Sequence, residues 1–327
     1  MGLVDVVNMR VDTLAQLSNS AKVVHAAIQF VDIAWLVKGA STGEGLWNKF
    51  LANIREVDAI VQVVRHFEDK EVVHVEWSPD PLRDVEIINT ELLLADLQTV
   101  QSALDWLQRR AKSRDPEVLD TIKTLEQIKA LLEEWTLAYD AHDDLSDKQR
   151  SHLRQYNLLT YKPFVYALNV AEEDLKRAPE LIAEYQEKLK KPVTVVCATF
   201  ETEIMELDAE EKQEFIEDLR GWTSVKIPTL DDLIQLAFRE VWLMYYFTTW
   251  EKETKARTIP VWSTAPQAAW AIHTDFERWF IKAEVIQAED LISLWGWGKA
   301  REWGKLRLEG KDYIVKDGDV IVFRFNV

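Results

Sequence analysis

Residues 163–170, Pro-Phe-Val-Tyr-Ala-Leu-Asn-Val, are a short apolar run that begins at a proline. A second run of the same kind, Pro-Val-Thr-Val-Val-Cys-Ala, occupies residues 192–198, and the residues between the two have a helical pattern. Buried strands that alternate with helices are typical of a parallel sheet. The two runs therefore predict an α/β fold with a mostly parallel sheet.

The same alternation extends toward the N-terminus. Residues 28–33 and 59–65 are rich in β-branched and apolar side chains and predict two further strands. Between them, we expect a loop over residues 34–47 and a helix over residues 48–57.

A helical segment interrupts this rhythm over residues 85–156. Two apolar stripes have heptad-like spacing: Leu93, Leu97, Val100, Leu104, Leu107 and Ala111, then Val118, Ile122, Leu125, Ile128, Leu132 and Trp135. Between them, Asp115 suits a helix N-cap and Pro116 suits the first helical position. We expect a coiled-coil hairpin inserted into the α/β domain; two amphipathic helices packed on the sheet are the alternative.

The C-terminal region differs from the rest of the chain. Residues 311–325 predict two strands around an Asp317-Gly318 turn. Residues 257–261 and 280–285 are further strand candidates, with helical character at 265–278. This order fits a small β-grasp-like domain. The predicted domains are thus 1–84 with 157–242, the insertion 85–156, and 243–327.

Composition excludes several classes of protein. The 327 residues contain no apolar run of 18, so we expect no transmembrane helix, and the N-terminus lacks a signal-peptide pattern. The lone Cys197 cannot form an internal disulfide, which suits the cytoplasm. A net charge of −17 argues against general nucleic-acid binding and against DNA as a partner. All of that excess lies in residues 1–242, so the neutral C-terminal part is the less repelled candidate for RNA contact.

Spacing alone identifies no catalytic site. The six histidines have no metal-ligand spacing, no Gly-x-Ser-x-Gly motif occurs, and Cys197 lies in an apolar run that suits a buried structural thiol. Composition and spacing therefore stop at a cytoplasmic, multi-domain α/β protein.

Four segments carry a resemblance to a known family. Residues 30–50 (Phe30-Val-Asp-Ile-Ala-Trp-Leu-Val-Lys-Gly and onward) resemble the switch II region of the YchF/Obg-like ATPase family. Residues 89–97 resemble the start of its coiled-coil insertion, and residues 264–281 and 309–320 resemble its C-terminal TGS domain. The resemblance implies a P-loop NTPase-type fold, a preference for ATP over GTP, bound Mg²⁺, and a monomer that associates with ribosomes.

The resemblance also implies roles for individual residues. Asp32 occupies the Asp-x-x-Gly position that holds Mg²⁺, usually through water, and Trp35 stands at its glycine. Leu36 replaces the water-orienting glutamine of Ras-like enzymes, which implies slow hydrolysis, and the resemblance assigns no catalytic residue. The implied nucleotide-binding residues are Asp32, Trp35, Asn169, Val170, Glu172, Cys197 and Ala198. Among them Glu172 stands where guanine-specific relatives have aspartate, the change that the family associates with accepting adenine.

Two departures from the family stand out. The first is that residues 1–327 contain no Gly-x-x-x-x-Gly-Lys-Ser/Thr, the loop that cradles phosphates. In the family this loop precedes the segment that Met1 and the next residues resemble, so the chain is expected to be truncated and to bind ATP poorly. The alternative function is a non-catalytic ribosome- or RNA-binding fragment that acts through its coiled-coil and TGS domains.

The second departure is an excess of tryptophan, 14 against 10 glycines. Eight tryptophans fall where the family has glycine: Trp35, Trp47, Trp77, Trp250, Trp262, Trp270, Trp279 and Trp295; Trp135 and Trp242 are further candidates. We hypothesise a single cause, a recoded stop codon that means glycine but is written as tryptophan. Restoring eight would bring the glycine count from 10 to 18, closer to the usual ~7%.

Overall fold

The computed structural model describes residues 2–33, 44–68, 79–110, 115–207, 211, 214–215 and 227–326. Most of the predicted loop 34–47 lies outside these residues, as do Trp35, Leu36, Trp77 and Ala111. The chain forms two compact units, one of Met1–Val31 with Ile234–Val327 and one of Asp32–Leu233. This division places residues 1–31 in the same unit as the C-terminal part. The predicted boundaries instead assign residues 1–84 to one domain with residues 157–242.

The helices and strands have the following bounds. The helices are α1 Met9–Leu17, α2 Glu44–Glu56, α3 Pro81–Arg110, α4 Pro116–Glu133, α5 Asp147–Arg154, α6 Ala178–Leu189, α7 Ala198–Met205, α8 Leu230–Glu240, α9 Ala265–Trp270, α10 Thr274–Arg278, α11 Ala288–Ser293 and α12 Trp297–Glu302. The strands are β1 Gly2–Val6, β2 Val23–Val24, β3 Ala26–Phe30, β4 Ile60–His66, β5 Phe164–Val170, β6 Val193–Val196, β7 Leu243–Thr249, β8 Thr254–Pro260, β9 Phe280–Gln287, β10 Arg307–Glu309 and β11 Asp319–Phe325. Two 3₁₀ helices span Ala138–Asp144 and Glu172–Arg177.

The unit Asp32–Leu233 is built on a parallel sheet in the order β4-β5-β6. These strands confirm the predicted runs at 59–65, 163–170 and 192–198 to within two residues. The strand predicted at 28–33 exists in part, since residues 28–30 belong to β3, but the prediction that it is buried and part of the parallel sheet was wrong. Residues 26–30 instead pair antiparallel with β1, from Gly2 opposite Phe30 to Val6 opposite Ala26. Their alternating burial suits a sheet with one exposed face rather than a fully buried parallel strand.

The predicted helical pair forms α3 and α4, which pack against each other. Leu93, Val100, Leu104 and Leu107 are buried in the first stripe, and Leu125, Ile128 and Leu132 in the second. The side chain of Asp115 accepts the N–H of Glu117, so the predicted cap before Pro116 is confirmed. Including Trp135 in the second stripe was wrong, because this residue lies beyond the end of α4 and is exposed.

α3 also reaches the sheet. Its apolar residues share one core with Val64 of β4 and with Phe164, Tyr166 and Leu168 of β5. The helical pair is therefore continuous at its base with the parallel sheet, so both sequence-based alternatives describe part of it.

The other unit contains a six-stranded mixed sheet in the order β10-β9-β11-β7-β8-β2. The predicted strands at 257–261 and 280–285 correspond to β8 and β9, and the helical stretch between them forms α9 and α10. The predicted two-stranded hairpin at 311–325 was wrong, since only residues 319–325 form a strand, β11. Ile314 makes one isolated bridge to Thr264, and the carboxylates of Asp317 and Asp319 accept the N–H groups of Tyr245 and Lys316. β11 instead pairs with β9 and β7.

Among the described helices, none combines the length and apolar character that crossing a membrane requires.

Candidate functional site

The carboxyl ends of β5 and β6 lie side by side, with Asn169 opposite Val196 in a parallel register. Every residue of β5 except Asn169 is buried, so the strand is held in the core while its last polar side chain reaches the edge. In open α/β sheets, ligands bind outside the carboxyl ends of the strands. This edge is where the candidate base-binding residues meet.

A side-chain hydrogen bond connects the end of β5 to the start of α7 at this edge. Oδ1 of Asn169 accepts the backbone N–H of Ala198, the first residue of α7, at 3.1 Å. Cys197 precedes it and is 1% exposed, which confirms a buried thiol, whereas Ala198 is exposed. The bond fixes the start of α7 against the end of β5 and leaves the Nδ2 group of Asn169 as the donor end of that side chain.

The loop after β5 carries Glu172. It opens the 3₁₀ helix Glu172–Arg177, its side chain is exposed, and Glu173 and Asp174 follow it in the same turn. Val170, by contrast, is 2% exposed and packs in the core, so its backbone alone can face a ligand. The structure thus brings Asn169 and Ala198 into contact, with Glu172 three residues beyond Asn169.

Of the residues predicted to lie near the phosphates and Mg²⁺, Asp32 follows β3 and is exposed. Trp35 and Leu36 lie outside the described residues, so their assignments stay predictions. Among the described residues, no three His, Cys, Asp or Glu side chains are grouped in a way that could hold a metal ion. One carboxylate such as Asp32 is still compatible with Mg²⁺, which usually keeps several waters and takes its remaining ligands from substrate phosphates.

Sequence reasoning missed a buried carboxylate on α3. Asp96 is 0% exposed; its Oδ1 accepts the N–H of Leu159 at 2.9 Å, and its Oδ2 accepts the N–H and the hydroxyl of Thr160, both at 2.7 Å. Burial raises the pKa of Asp96, while these hydrogen bonds act in the opposite direction. The carboxylate joins α3 to the segment that leads into β5. The available signal was its spacing, because Asp96 lies three residues after Leu93 and four before Val100 in the buried stripe.

A partly buried cation, Lys162, holds the end of α2 next to the segment that enters β5. Nζ of Lys162 donates to the carbonyl oxygens of Arg55, at 2.8 Å, and of Val57. Burial lowers the pKa of Lys162. Nη2 of Arg55 donates to Oγ1 of Thr99 on α3, at 3.2 Å. Hydrogen bonds therefore join α2 to α3 and to the segment that leads into β5.

Two open cavities, of about 690 and 440 Å³, lie in the unit that contains β7–β11. Leu17, Thr249, Trp250 and Trp297 help to line the larger one. None of the candidate nucleotide-binding residues lines either cavity.

Comparisons with known proteins identify relatives along the whole chain. The family model YchF-GTPase_C, described as a protein of unknown function (DUF933), matches residues 243–326. The chain is 47% identical to the Ribosome-binding ATPase YchF of Haemophilus influenzae and 42% identical to that of Bacillus subtilis. Each match covers 100% of this chain and 89% of the relative.

A solved structure agrees with these relatives. The match is to the structure of the Schizosaccharomyces pombe YchF GTPase, with a TM-score of 0.84 and 32% sequence identity. It covers 98% of this chain and 86% of the other. The similarity extends over both compact units.

Proposed function

Because the chain belongs to the YchF family, we propose that it acts as an ATP-binding, slowly hydrolysing ATPase that associates with ribosomes. The observation that carries this proposal is identity of 42–47%, along the whole chain, with proteins named Ribosome-binding ATPase YchF. We further propose a cytoplasmic monomer in which 85–156 and 243–327 act as contact domains for the ribosome.

The base of the nucleotide is proposed to bind at the carboxyl ends of β5 and β6. The bond between Asn169 and Ala198 supports this, because it orders both sides of the edge before a ligand arrives. Glu172 is exposed there and can accept hydrogen bonds, but its side chain is one methylene longer than the aspartate of guanine-specific relatives. We propose that this difference favours adenine over guanine, with the backbones of Val170, Cys197 and Ala198 completing the edge.

The phosphates are proposed to bind toward Asp32, which would hold Mg²⁺ through water, and toward Trp35. The Mg²⁺ would stabilise the charge that develops on the phosphates during transfer. Residues 1–327 contain no Gly-x-x-x-x-Gly-Lys-Ser/Thr to supply a backbone cradle and a phosphate lysine. A polypeptide of these 327 residues alone is therefore expected to bind ATP weakly.

Competition against a fluorescent ATP analogue in the presence of Mg²⁺ tests the proposal. The protein is the product of the gene together with any in-frame residues encoded before Met1. We expect ATP to compete at about tenfold lower concentration than GTP, a modest specificity that a few hydrogen bonds can supply. In the Glu172→Asp variant, the ratio of the GTP concentration to the ATP concentration needed for competition should be smaller. Equal or stronger competition by GTP would contradict the adenine site. A micromolar dissociation constant for ATP with residues 1–327 alone would contradict the expectation of weak binding.

A second candidate function is a non-catalytic ribosome- or RNA-binding protein. The observation in its favour is the lack of the phosphate-loop motif within residues 1–327 together with a neutral C-terminal part, which repels RNA less than the acidic remainder. The two functions differ in one measurement. Ribosome-stimulated release of phosphate from ATP supports the ATPase, whereas ribosome binding without any hydrolysis supports the second candidate.

A further inference from the structure

Four tryptophans occupy left-handed backbone conformations. Their φ angles are 59° at Trp135, 56° at Trp242, 73° at Trp262 and 50° at Trp295. A side chain with a Cβ collides with the backbone in this region, so glycine occupies it routinely and a bulky residue is an outlier there. The other non-glycine residues with positive φ among the described residues are Asn19, Asn157 and Lys190, and asparagine tolerates the conformation.

Two of the four end helices in a glycine-type cap. After α4, Trp135 donates its N–H to the carbonyl of Leu132 at 3.1 Å, and Thr136 donates to Leu131 at 3.0 Å. After α11, Trp295 donates to Ile292 at 3.0 Å, and the next residue, Gly296, donates to Leu291 at 3.4 Å. This paired pattern is the Schellman motif, in which the left-handed residue is usually glycine.

The other two stand in different turns. Trp242 follows the end of α8, where its N–H bonds to the carbonyl of Arg239 at 3.1 Å. Trp262 is the third residue of a turn closed by the N–H of Ser263 and the carbonyl of Pro260, at 3.2 Å. A turn with positive φ at its third residue requires glycine or asparagine there.

The indole groups gain little that could offset this strain. Trp135, Trp242, Trp262 and Trp295 are 61%, 45%, 73% and 64% exposed, so each leaves a large apolar surface in water. Trp297 differs, since it packs against the core at the start of α12 and its φ is not positive. The strain thus falls on four of the tryptophans and not on every one.

We infer that residues 135, 242, 262 and 295 are glycine in the protein that the source cell makes. One codon, written as tryptophan in this sequence, would specify glycine at all four. The inference rests on backbone geometry and does not depend on the proposed function. It also includes Trp135 and Trp242, which sequence reasoning gave only as further candidates.

Peptide mass spectrometry of the protein purified from its source cell tests the inference directly. We expect glycine at all four positions. Tryptophan at any of the four would overturn the assignment at that position, and tryptophan at all four would overturn it altogether. Position 297 serves as a control. If its codon differs from the codon that positions 135, 242, 262 and 295 share, we expect the peptide to contain tryptophan at 297.

A second experiment tests the geometric argument in recombinant protein of 327 residues. Each Trp→Gly variant is expected to increase the folding equilibrium constant about fivefold, since relief of the left-handed strain exceeds the backbone entropy of glycine. The matched Trp→Ala variants keep a Cβ and should gain less, while Trp297→Gly should lose stability with its core contacts. The inference fails if glycine stabilises no more than alanine at the four positions.

Discussion

The carboxylate of Asp96 offers the sharpest test of how the helical pair is joined to the sheet. Replacing it with alanine removes the acceptor of three hydrogen bonds at a site with no solvent exposure. The N–H groups of Leu159 and Thr160 then have no acceptor from α3, whereas the Thr160 hydroxyl can rotate toward another one.

The expected loss follows from these groups. A buried N–H without an acceptor costs about 1–3 kcal/mol, so the two together cost roughly 2–6 kcal/mol. Removing the buried charge returns part of this, because burial raises the pKa of Asp96 and so penalises the ionised form. We expect a net loss of about 3 kcal/mol in the free energy of unfolding. For a unit of this size that lowers the melting temperature by roughly 6–12 °C.

Urea unfolding followed by circular dichroism measures the loss, and hydrogen exchange at the amides of Leu159 and Thr160 locates it. Asp120→Ala on α4 is the matched control, since it removes an aspartate whose ion pair with Lys148 is exposed. Asp96→Asn keeps one acceptor oxygen and should lie between the two. A loss in Asp96→Ala no larger than in Asp120→Ala would refute the reasoning.

Three further predictions concern other parts of the molecule. Asp319 is 0% exposed, and its carboxylate accepts hydrogen bonds from four residues: Tyr313, Lys316, Arg307 and Gln287. Asp319→Ala should therefore lower the free energy of unfolding by about 3–5 kcal/mol. An unchanged melting temperature of the unit that contains β7–β11, measured by calorimetry, would contradict this. Burial lowers the pKa of His142 below its usual 6.5, so the fold favours the neutral imidazole. Stability should therefore be complete above pH 6.5 and fall as the pH drops through the lowered pKa, less so in His142→Gln; equal pH profiles of the two proteins would count against it. Asn169→Ala should speed exchange of the Ala198 amide about fivefold, as loss of one hydrogen bond implies, while Asn169→Asp should preserve protection; unchanged exchange in the alanine variant would show that the bond does not hold the edge.

Local sequence patterns correctly predicted the elements whose formation depends on neighbouring residues. Short apolar runs located β4, β5 and β6, and the caps Asp115 and Pro116 placed the start of α4. The Asp317-Gly318 turn misled the prediction at 311–325, because the side chain of Asp317 bonds to Tyr245, a residue 72 positions away. A turn dipeptide carries no information about such a partner.

Long-range bonds explain what was missed at the site. Asp96 binds backbone groups 63 and 64 residues later in the chain, and Lys162 binds carbonyls more than 100 residues earlier. No local sequence pattern marks the backbone groups that Asp96 and Lys162 bind. Asn169, Glu172 and Cys197 were selected by resemblance rather than by periodicity, and the structure adds the bond from Ala198 that orders the edge.

Membership in the YchF family makes association with ribosomes the central claim of the proposed function. Its most direct test is sedimentation of the 327-residue protein through a sucrose cushion with and without purified ribosomes, at about 0.1 M salt, where charge interactions are only partly screened. We expect the protein in the pellet only when ribosomes are present, and in amounts that saturate near one copy per ribosome. The same fraction of protein in the supernatant with and without ribosomes would contradict the account.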